Sequence, residues 1–316
     1  MRPSIEFGLP PHVGGTVCTV GTFDGVHRGH RLVLERLAEC ARERGLPAVL
    51  VTFEPHPLQV VNPAAAPPLL TVGVEKTEVL AESPIDYVVV IPFTPTLATY
   101  GADAFVDLVL REQLGLRYLL VGYDHGFGRG RSGDASVLQA LGASRGFGVE
   151  VVPPVLGTDG RPISSTTIRR AVAGGDLVRA ADGLGRAYSA SGTVGQGAQR
   201  GRTLGFRTIN IALPPAHKLM PPEGVYAVRV QTPRGAFGGM MNLGPRPTFE
   251  ESDPRLEAHL FDVEGDFYGM RVRLDFVARL RETRKFESPE ALRAQLVRDE
   301  GAARAALAGQ PVGDLG

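Results

Sequence analysis

An α/β doubly wound parallel sheet, followed by an antiparallel β-barrel domain with a C-terminal helix, is the architecture this sequence predicts. Three observations carry the prediction. Strand-like and helix-like stretches alternate from Thr16 to Val152. Beyond Tyr188, short strands separated by Gly/Pro turns take over. From Ser288 the chain turns helical again until about Ala308. Alternating β and α units wind a parallel sheet whose ligands gather at the carboxyl ends of its strands. Short strands with turn residues between them close into sandwiches or barrels.

In chain order, Thr-Val-Cys-Thr-Val at 16–20 reads as the first strand. A helix over 31–44 follows, because Leu34, Leu37, Ala38 and Ala41 recur at i, i+3, i+4 and i+7. Further strands are expected at 48–53, 87–91, 118–121 and 149–152. Helices are expected at 73–82, 102–114 and 134–145; Phe105, Leu108, Val109 and Leu114 form the apolar face of the second. Two more helices, 164–173 and 176–184, end the first domain, so the domains are 1–184 and 185–316. In the second domain 225–230, 256–261 and 270–276 are clear strands, and 192–194 and 238–242 weaker ones. The closing helix has Ser288 as N-cap and Pro289 at its first position, with Gly309 as its stop.

Composition narrows the function. A chain of 316 residues has apolar material for two cores. Its 34 basic and 34 acidic residues leave a formal net charge of zero, so no field for nucleic acid or a membrane surface is expected. Two cysteines, Cys18 and Cys40, exclude a disulfide framework and read as buried thiols in a reducing compartment. The N-terminal stretch lacks the apolar run of a secretory signal, and no segment approaches a membrane span. The expected location is the cytoplasm, with self-association no more than weak or transient.

Gly21-Thr22-Phe23-Asp24-Gly25-Val26-His27-Arg28-Gly29-His30 is the most informative stretch. It sets two histidines three apart, astride a glycine, where a strand gives way to a helix. Gly25 and Gly29 allow close approach of backbone to a ligand, and the helix start offers N–H donors to an anion. Imidazoles there can stabilise charge on a phosphate in flight, which points to nucleotidyl transfer from a nucleoside triphosphate. Ile163-Ser164-Ser165-Thr166-Thr167-Ile168-Arg169 supplies hydroxyls and then a fixed cation at another helix start. Such a run is ordinarily just capping; beside the histidine motif it reads as a second cradle for the same triphosphate, with Arg169 on the departing pyrophosphate.

With these motifs in place, the chain resembles the bacterial bifunctional riboflavin kinase/FMN adenylyltransferase (FAD synthetase) family over nearly its whole length. Gly21, Phe23, Asp24, Gly25, His27 and His30 lie in the stretch similar to its nucleotide-binding motif. Thr52-Phe53-Glu54-Pro55-His56-Pro57 resembles its second-strand signature, and Ser164, Ser165, Thr166 and Arg169 fall in its phosphate motif. Gly122-Tyr123-Asp124-His125-Gly126-Phe127-Gly128 resembles its flavin- and metal-proximal loop, which implies a ligand role for Asp124. Gly201-Arg202-Thr203-Leu204-Gly205-Phe206-Arg207-Thr208-Ile209-Asn210 resembles its kinase motif, with Arg207 and Ile209 where Pro and Ala usually stand. The resemblance implies that Gly201, Arg202, Thr208 and Asn210 bind ATP, that Thr208 and Asn210 hold Mg²⁺, and that Glu257 is the base for the riboflavin 5′-hydroxyl. It also implies a nucleotidyltransferase-like first domain, ATP as co-substrate, Mg²⁺ as cofactor, and riboflavin, FMN and FAD as ligands.

Other readings stand beside this one. The substituted kinase motif allows an FMN adenylyltransferase whose barrel is a non-catalytic flavin-binding module. A His-x-Gly-His site also serves aminoacyl-tRNA synthetases, but the lysine-rich loop they pair with it is absent from 163–170. Gly128-Arg129-Gly130-Arg131-Ser132-Gly133 is a literal G-x-G-x-x-G, with Glu150 at a suggestive distance. A dinucleotide fingerprint places its first glycine directly after the strand, whereas here six residues intervene.

Overall fold

The computed structural model describes residues 4–6, 14–124, 126–195, 205–246 and 251–309. The chain divides into two compact units, Met1–Ser165 and Thr166–Gly316.

The first unit is a six-stranded, wholly parallel sheet of β1 (Ser4–Glu6), β2 (Thr16–Val20), β3 (Ala48–Glu54), β4 (Tyr87–Pro92), β5 (Leu116–Gly122) and β6 (Gly148–Val152). Their order is β1-β4-β3-β2-β5-β6. Side chains alternate across it between two apolar layers. Val17, Leu50 and Leu120 face one layer; Cys18, Val49, Val51, Leu119 and Val121 face the other. Both faces are therefore covered, which is why these strands read as continuous apolar runs. α1 (Arg28–Arg44) puts Leu34, Leu37 and Cys40 on the first layer, together with Val79 and Leu80 of α3 (Val74–Leu80). α4 (Ala102–Phe105) and α5 (Ala135–Arg145) cover the second, and α2 is the short Pro57–Val61. The connections from β2 run toward β3 and β4, whereas β5 and β6 lie on its other side. The strand order thus reverses between β2 and β5, the place where doubly wound sheets open a crevice for ligands.

One helix differs from its expected form. The stretch 102–114 is α-helical only to Phe105, then takes π-helical spacing over Val106–Arg111. The wider turn buries Val106, Val109 and Leu110, and Leu108, expected on the packed face, is 41% exposed.

The second unit holds most of α6 (Ser165–Ala173), then α7 (Leu177–Leu184), which packs on strands β7 (Tyr188–Gly195) and β12 (Arg271–Arg281) through a face including Leu177, Ala180 and Leu184. Those strands, with β8 (Ile209–Ile211), β9 (Gly224–Thr232), β10 (Gly235–Arg246) and β11 (Glu251–Leu260), close an antiparallel barrel in the order β10-β11-β8-β7-β12-β9. Tyr188, Tyr226 and Phe276 are buried in it, the last two edge to face at 5.3 Å. α8 (Pro289–Ala308) starts where Ser288 Oγ accepts from the Ala291 N–H and stops at Gly309. It lays Ala303, Leu296 and Leu307 against Ala227, Met240 and Val277. Buried Asp299 on α8 takes a double hydrogen bond from Arg281 of β12. Among the described residues no helix is long and apolar enough to cross a membrane.

Candidate functional site

β2 ends at Val20, and the next seven residues form the loop into α1. The loop is tightly wound: Phe23 and Val26, both buried, take φ of 47° and 41°. A β-branched residue in that region is strained, and such strain persists only where the surroundings enforce it. The enforcement is visible. Asp24, 3% exposed, accepts hydrogen bonds from the backbone N–H groups of Leu70 and Thr71, and Thr71 Oγ1 accepts from the Gly25 N–H. Asp24 therefore fastens the loop to the segment before α3. The Ser165 hydroxyl donates to the Asp24 carbonyl at 2.9 Å, which seats the start of α6 beside the histidine loop.

His27 is the N-cap of α1, and its Nδ1 accepts from the His30 N–H at 3.3 Å. The neutral ring then keeps its proton on Nε2, as a donor. His30 stacks on His27 with ring centres 3.6 Å apart, and Phe23 lies against His30 at 4.6 Å. Gly29 serves this pile: a Cβ there would meet the His27 ring at 3.2 Å, so the space it leaves is filled by that imidazole. Gly21 likewise leaves room for the Phe23 ring, 2.9 Å from where its Cβ would stand. Burial first, then neighbouring His27 and Lys76, push His30 well below the usual imidazole range, so it is neutral at pH 7. Its Nδ1 is buried with no hydrogen-bond partner among the described residues. A buried orphan of this kind calls for a partner, and a bound phosphate or its water can provide one.

Ser164 precedes α6, and Thr166 and Arg169 follow Ser165 on the same helix, one and four residues on. Arg169 shares the face of Ser165 by helical spacing. Asp124 is exposed in the turn after β5, whose strand neighbours β2, so it leaves the sheet beside the histidine loop. His125 lies outside the described residues.

The glycine run at 128–133 is settled by packing. Phe127 bridges back to Gly133 in antiparallel fashion, and Cβ atoms at Gly128 or Gly133 would strike Ala102 at 2.7 or 2.8 Å. These glycines fit the chain against α4. Glu150 is held by Arg36 at 2.7 Å.

In the barrel, register assembles the second set. Glu257 on β11 stands directly opposite Asn210 on β8, and on its other side opposite Asn242 on β10. Leu256 and Ala258 alternate with it into the core. Thr208 lies two residues before Asn210, just ahead of β8. The carbonyl of Arg207 is held by His259 Nδ1 at 2.7 Å, and Phe206 packs edge to face on the same ring, so the segment carrying Thr208 is pinned to β11. A cavity of about 810 Å³ is lined by Thr208, Arg207, His259, Asp266 and Tyr268, among others. Its lining includes neither Asn210 nor Glu257. Gly201 and Arg202 lie outside the described residues. Hydroxyl and amide oxygens at Thr208 and Asn210 suit a hard cation that keeps waters and phosphate oxygens as its other ligands.

Sequence reasoning placed Asn242 and His259 only within family-like runs, 242–249 and 256–261, and gave them no role; it missed Lys76. Lys76 left a trace of its own: with Val72, Val79 and Leu80 it falls at i, i+4, i+7 and i+8, a lysine on an apolar face.

Comparison with known proteins matches the two units to two families. The FAD synthetase family matches residues 10–167, and the riboflavin kinase family residues 184–307. The bifunctional riboflavin kinase/FMN adenylyltransferase of Escherichia coli K12 is 40% identical over 291 residues, 92% of each chain. The protein of the same description from Pseudomonas fluorescens is 39% identical over 301 residues, 95% of this chain and 96% of its own. A crystal structure described as a macrolide-efflux protein from Streptococcus pneumoniae has a TM-score of 0.83 at 29% identity, covering 96% of this chain and 99% of that one. The match to a kinase family as well as a synthetase family favours two activities over a barrel that only binds. With near-complete coverage at such identity, the chain belongs to the bifunctional riboflavin kinase/FMN adenylyltransferase family.

Proposed function

We propose that this protein makes FAD in two steps, each on its own set of residues. The barrel transfers the γ-phosphoryl group of ATP to riboflavin, giving FMN and ADP. The parallel-sheet domain joins FMN to AMP from a second ATP and releases pyrophosphate. The stack of Phe23, His30 and His27 at the sheet's crossover point, with the α6 start tied to it, is the observation that carries the second step. We assign adenylylation to residues 1–184 and phosphorylation to 185–316.

In adenylylation a phosphate oxygen of FMN attacks the α-phosphorus in line, and the bond to the bridging oxygen of pyrophosphate breaks. His27 donates from Nε2 to charge gathering on the α-phosphate, and His30 stabilises the same charge. Ser164, Ser165, Thr166 and Arg169 hold the triphosphate, with Arg169 on the leaving pyrophosphate. Gly21, Phe23, Asp24 and Gly25 shape the loop that bears the histidines. This is positioning and electrostatics, with no covalent intermediate on the enzyme. In phosphorylation Glu257 accepts the 5′-hydroxyl proton of riboflavin as the oxygen attacks the γ-phosphorus. Gly201 and Arg202 complete the ATP site. Thr208 and Asn210 in the barrel, and Asp124 in the first domain, would hold Mg²⁺, which would supply neutralisation of phosphate charge.

The ligands are ATP, riboflavin, FMN and FAD; neither nucleic acid nor membrane is a partner, and self-association is weak or transient. Two buried, unpaired cysteines support a reducing, cytoplasmic setting. The test is product analysis from two starting points. Riboflavin with MgATP should give FMN and then FAD, and FMN with MgATP should give FAD and pyrophosphate. Absence of FMN from the first reaction would remove the kinase.

A further inference from the structure

Lys76 sits in α3 at 8% exposure, beside a site that needs positive charge. Burying a cation is costly unless something uses it. Its ammonium carries three donors, yet among the described residues its one hydrogen bond is to Thr52 Oγ1 at 2.7 Å. Thr52 belongs to the carboxyl-terminal part of β3, and its hydroxyl donates a hydrogen bond to the Thr22 carbonyl in the histidine loop at 3.2 Å. The lysine is thus coupled to that loop through one side chain. It also lies within electrostatic reach of His30, Asp24 and Glu54. Asp24 is already engaged with Leu70 and Thr71. His30 is held neutral, so it brings no charge of its own to a triphosphate.

We propose that Lys76 supplies the positive charge at the histidine loop, donating its two remaining N–H groups to a phosphate oxygen of the reactants in the adenylyl-transfer step. The flexible four-carbon stem lets the head turn from Thr52 toward an arriving anion while staying anchored in the core. The phosphate belongs to FMN or to ATP, and the kinetics below separate them. The proposal rests on the reading of the histidine loop as the adenylylation site.

The test uses the full-length chain with Lys76→Met and Lys76→Arg. Riboflavin-to-FMN turnover, carried by the barrel, reports that each variant is folded and is expected to stay at the wild-type rate. FAD formation from FMN should fall by about 10²–10³-fold in Lys76→Met, the usual loss for one preorganised donor, and stay within about tenfold in Lys76→Arg. A raised KM for FMN alone assigns the FMN phosphate, and a raised KM for ATP alone assigns the triphosphate. A loss confined to kcat assigns a contact made only in the transition state, on the ATP α-phosphate as the FMN phosphate attacks it. The pH profile adds a readout that a structural lysine would not move. Burial lowers Lys76 to about 8, against the opposing pull of Asp24 and Glu54. In the wild type kcat/KM for FAD formation should therefore decline above pH 8, and Lys76→Arg should abolish that decline. Wild-type FAD formation in Lys76→Met, or an unchanged alkaline decline in Lys76→Arg, overturns the proposal. Loss of function in His27→Ala together with full activity in Lys76→Met would sink Lys76 alone; full activity in His27→Ala would sink the site beneath it.

Discussion

His27 has two duties on one ring: Nδ1 caps α1, and Nε2 is the donor assigned to the α-phosphate. The two can be separated. His27→Ala should slow FAD formation from FMN by about 2.7–4 kcal/mol of barrier and also lose a cap worth about 1 kcal/mol. His27→Asn, which can cap, should keep the melting temperature and lose only the rate; FMN formation from riboflavin should survive in both. Glu257→Gln is the mirror experiment: FMN formation falls by about 10²–10⁴-fold, the usual share of a general base, while FMN is still converted to FAD. The site was legible in sequence where chemistry and local structure coincide, as at His27 and His30. It was not legible where a residue acts through tertiary register. Asn242 sits opposite Glu257 only because β10 pairs with β11, and His259 reaches Arg207 across 52 positions of chain.

Elements with strong periodicity were readable to within a few residues: β2, β3, α5 and α8 all lie where apolar spacing and caps put them. Two short strands were not. β1 is a three-residue strand defined by its pairing with β4, and β8, equally short, carries a motif but no strand pattern and is defined by its pairing with β11 and β7. The π-helical turn after Phe105 has no signature in a pattern that fits a 3.6-residue period equally well. Ser288→Ala should cost about 1 kcal/mol of stability through the α8 cap, measurable by denaturant unfolding. α3 offers a sharper case. Lys76 binds its proton less tightly in the folded chain, about 8 against the usual 10.5. Between these values the unfolded chain holds more protons, so stability rises with pH across that window. Below pH 8 the buried charge costs about 3 kcal/mol. Lys76→Met should therefore melt higher at pH 7 and lose the rise between pH 8 and 10.5, while losing FAD formation.

At the scale of the molecule, each unit has its own core and its own set of assigned residues. Variants disabled in different units should therefore complement each other: a mixture of His27→Ala and Glu257→Gln should make FAD from riboflavin, with FMN passing through solution. Continued failure of the mixture would mean that FMN does not leave the chain that made it. Compactness divides the chain at Ser165/Thr166, and a helical pattern alone does not tell which body α7 packs upon. The strand order carries a last consequence. β7 opens the barrel in sequence, yet one of its two neighbours is β12, which also closes against β9. During translation the parallel sheet can be finished by about residue 152, while the barrel stays open until the ribosome has released residue 281. A stop codon before that point leaves β7 and β9 with bare edges, a sticky product for chaperones and proteases rather than a smaller kinase.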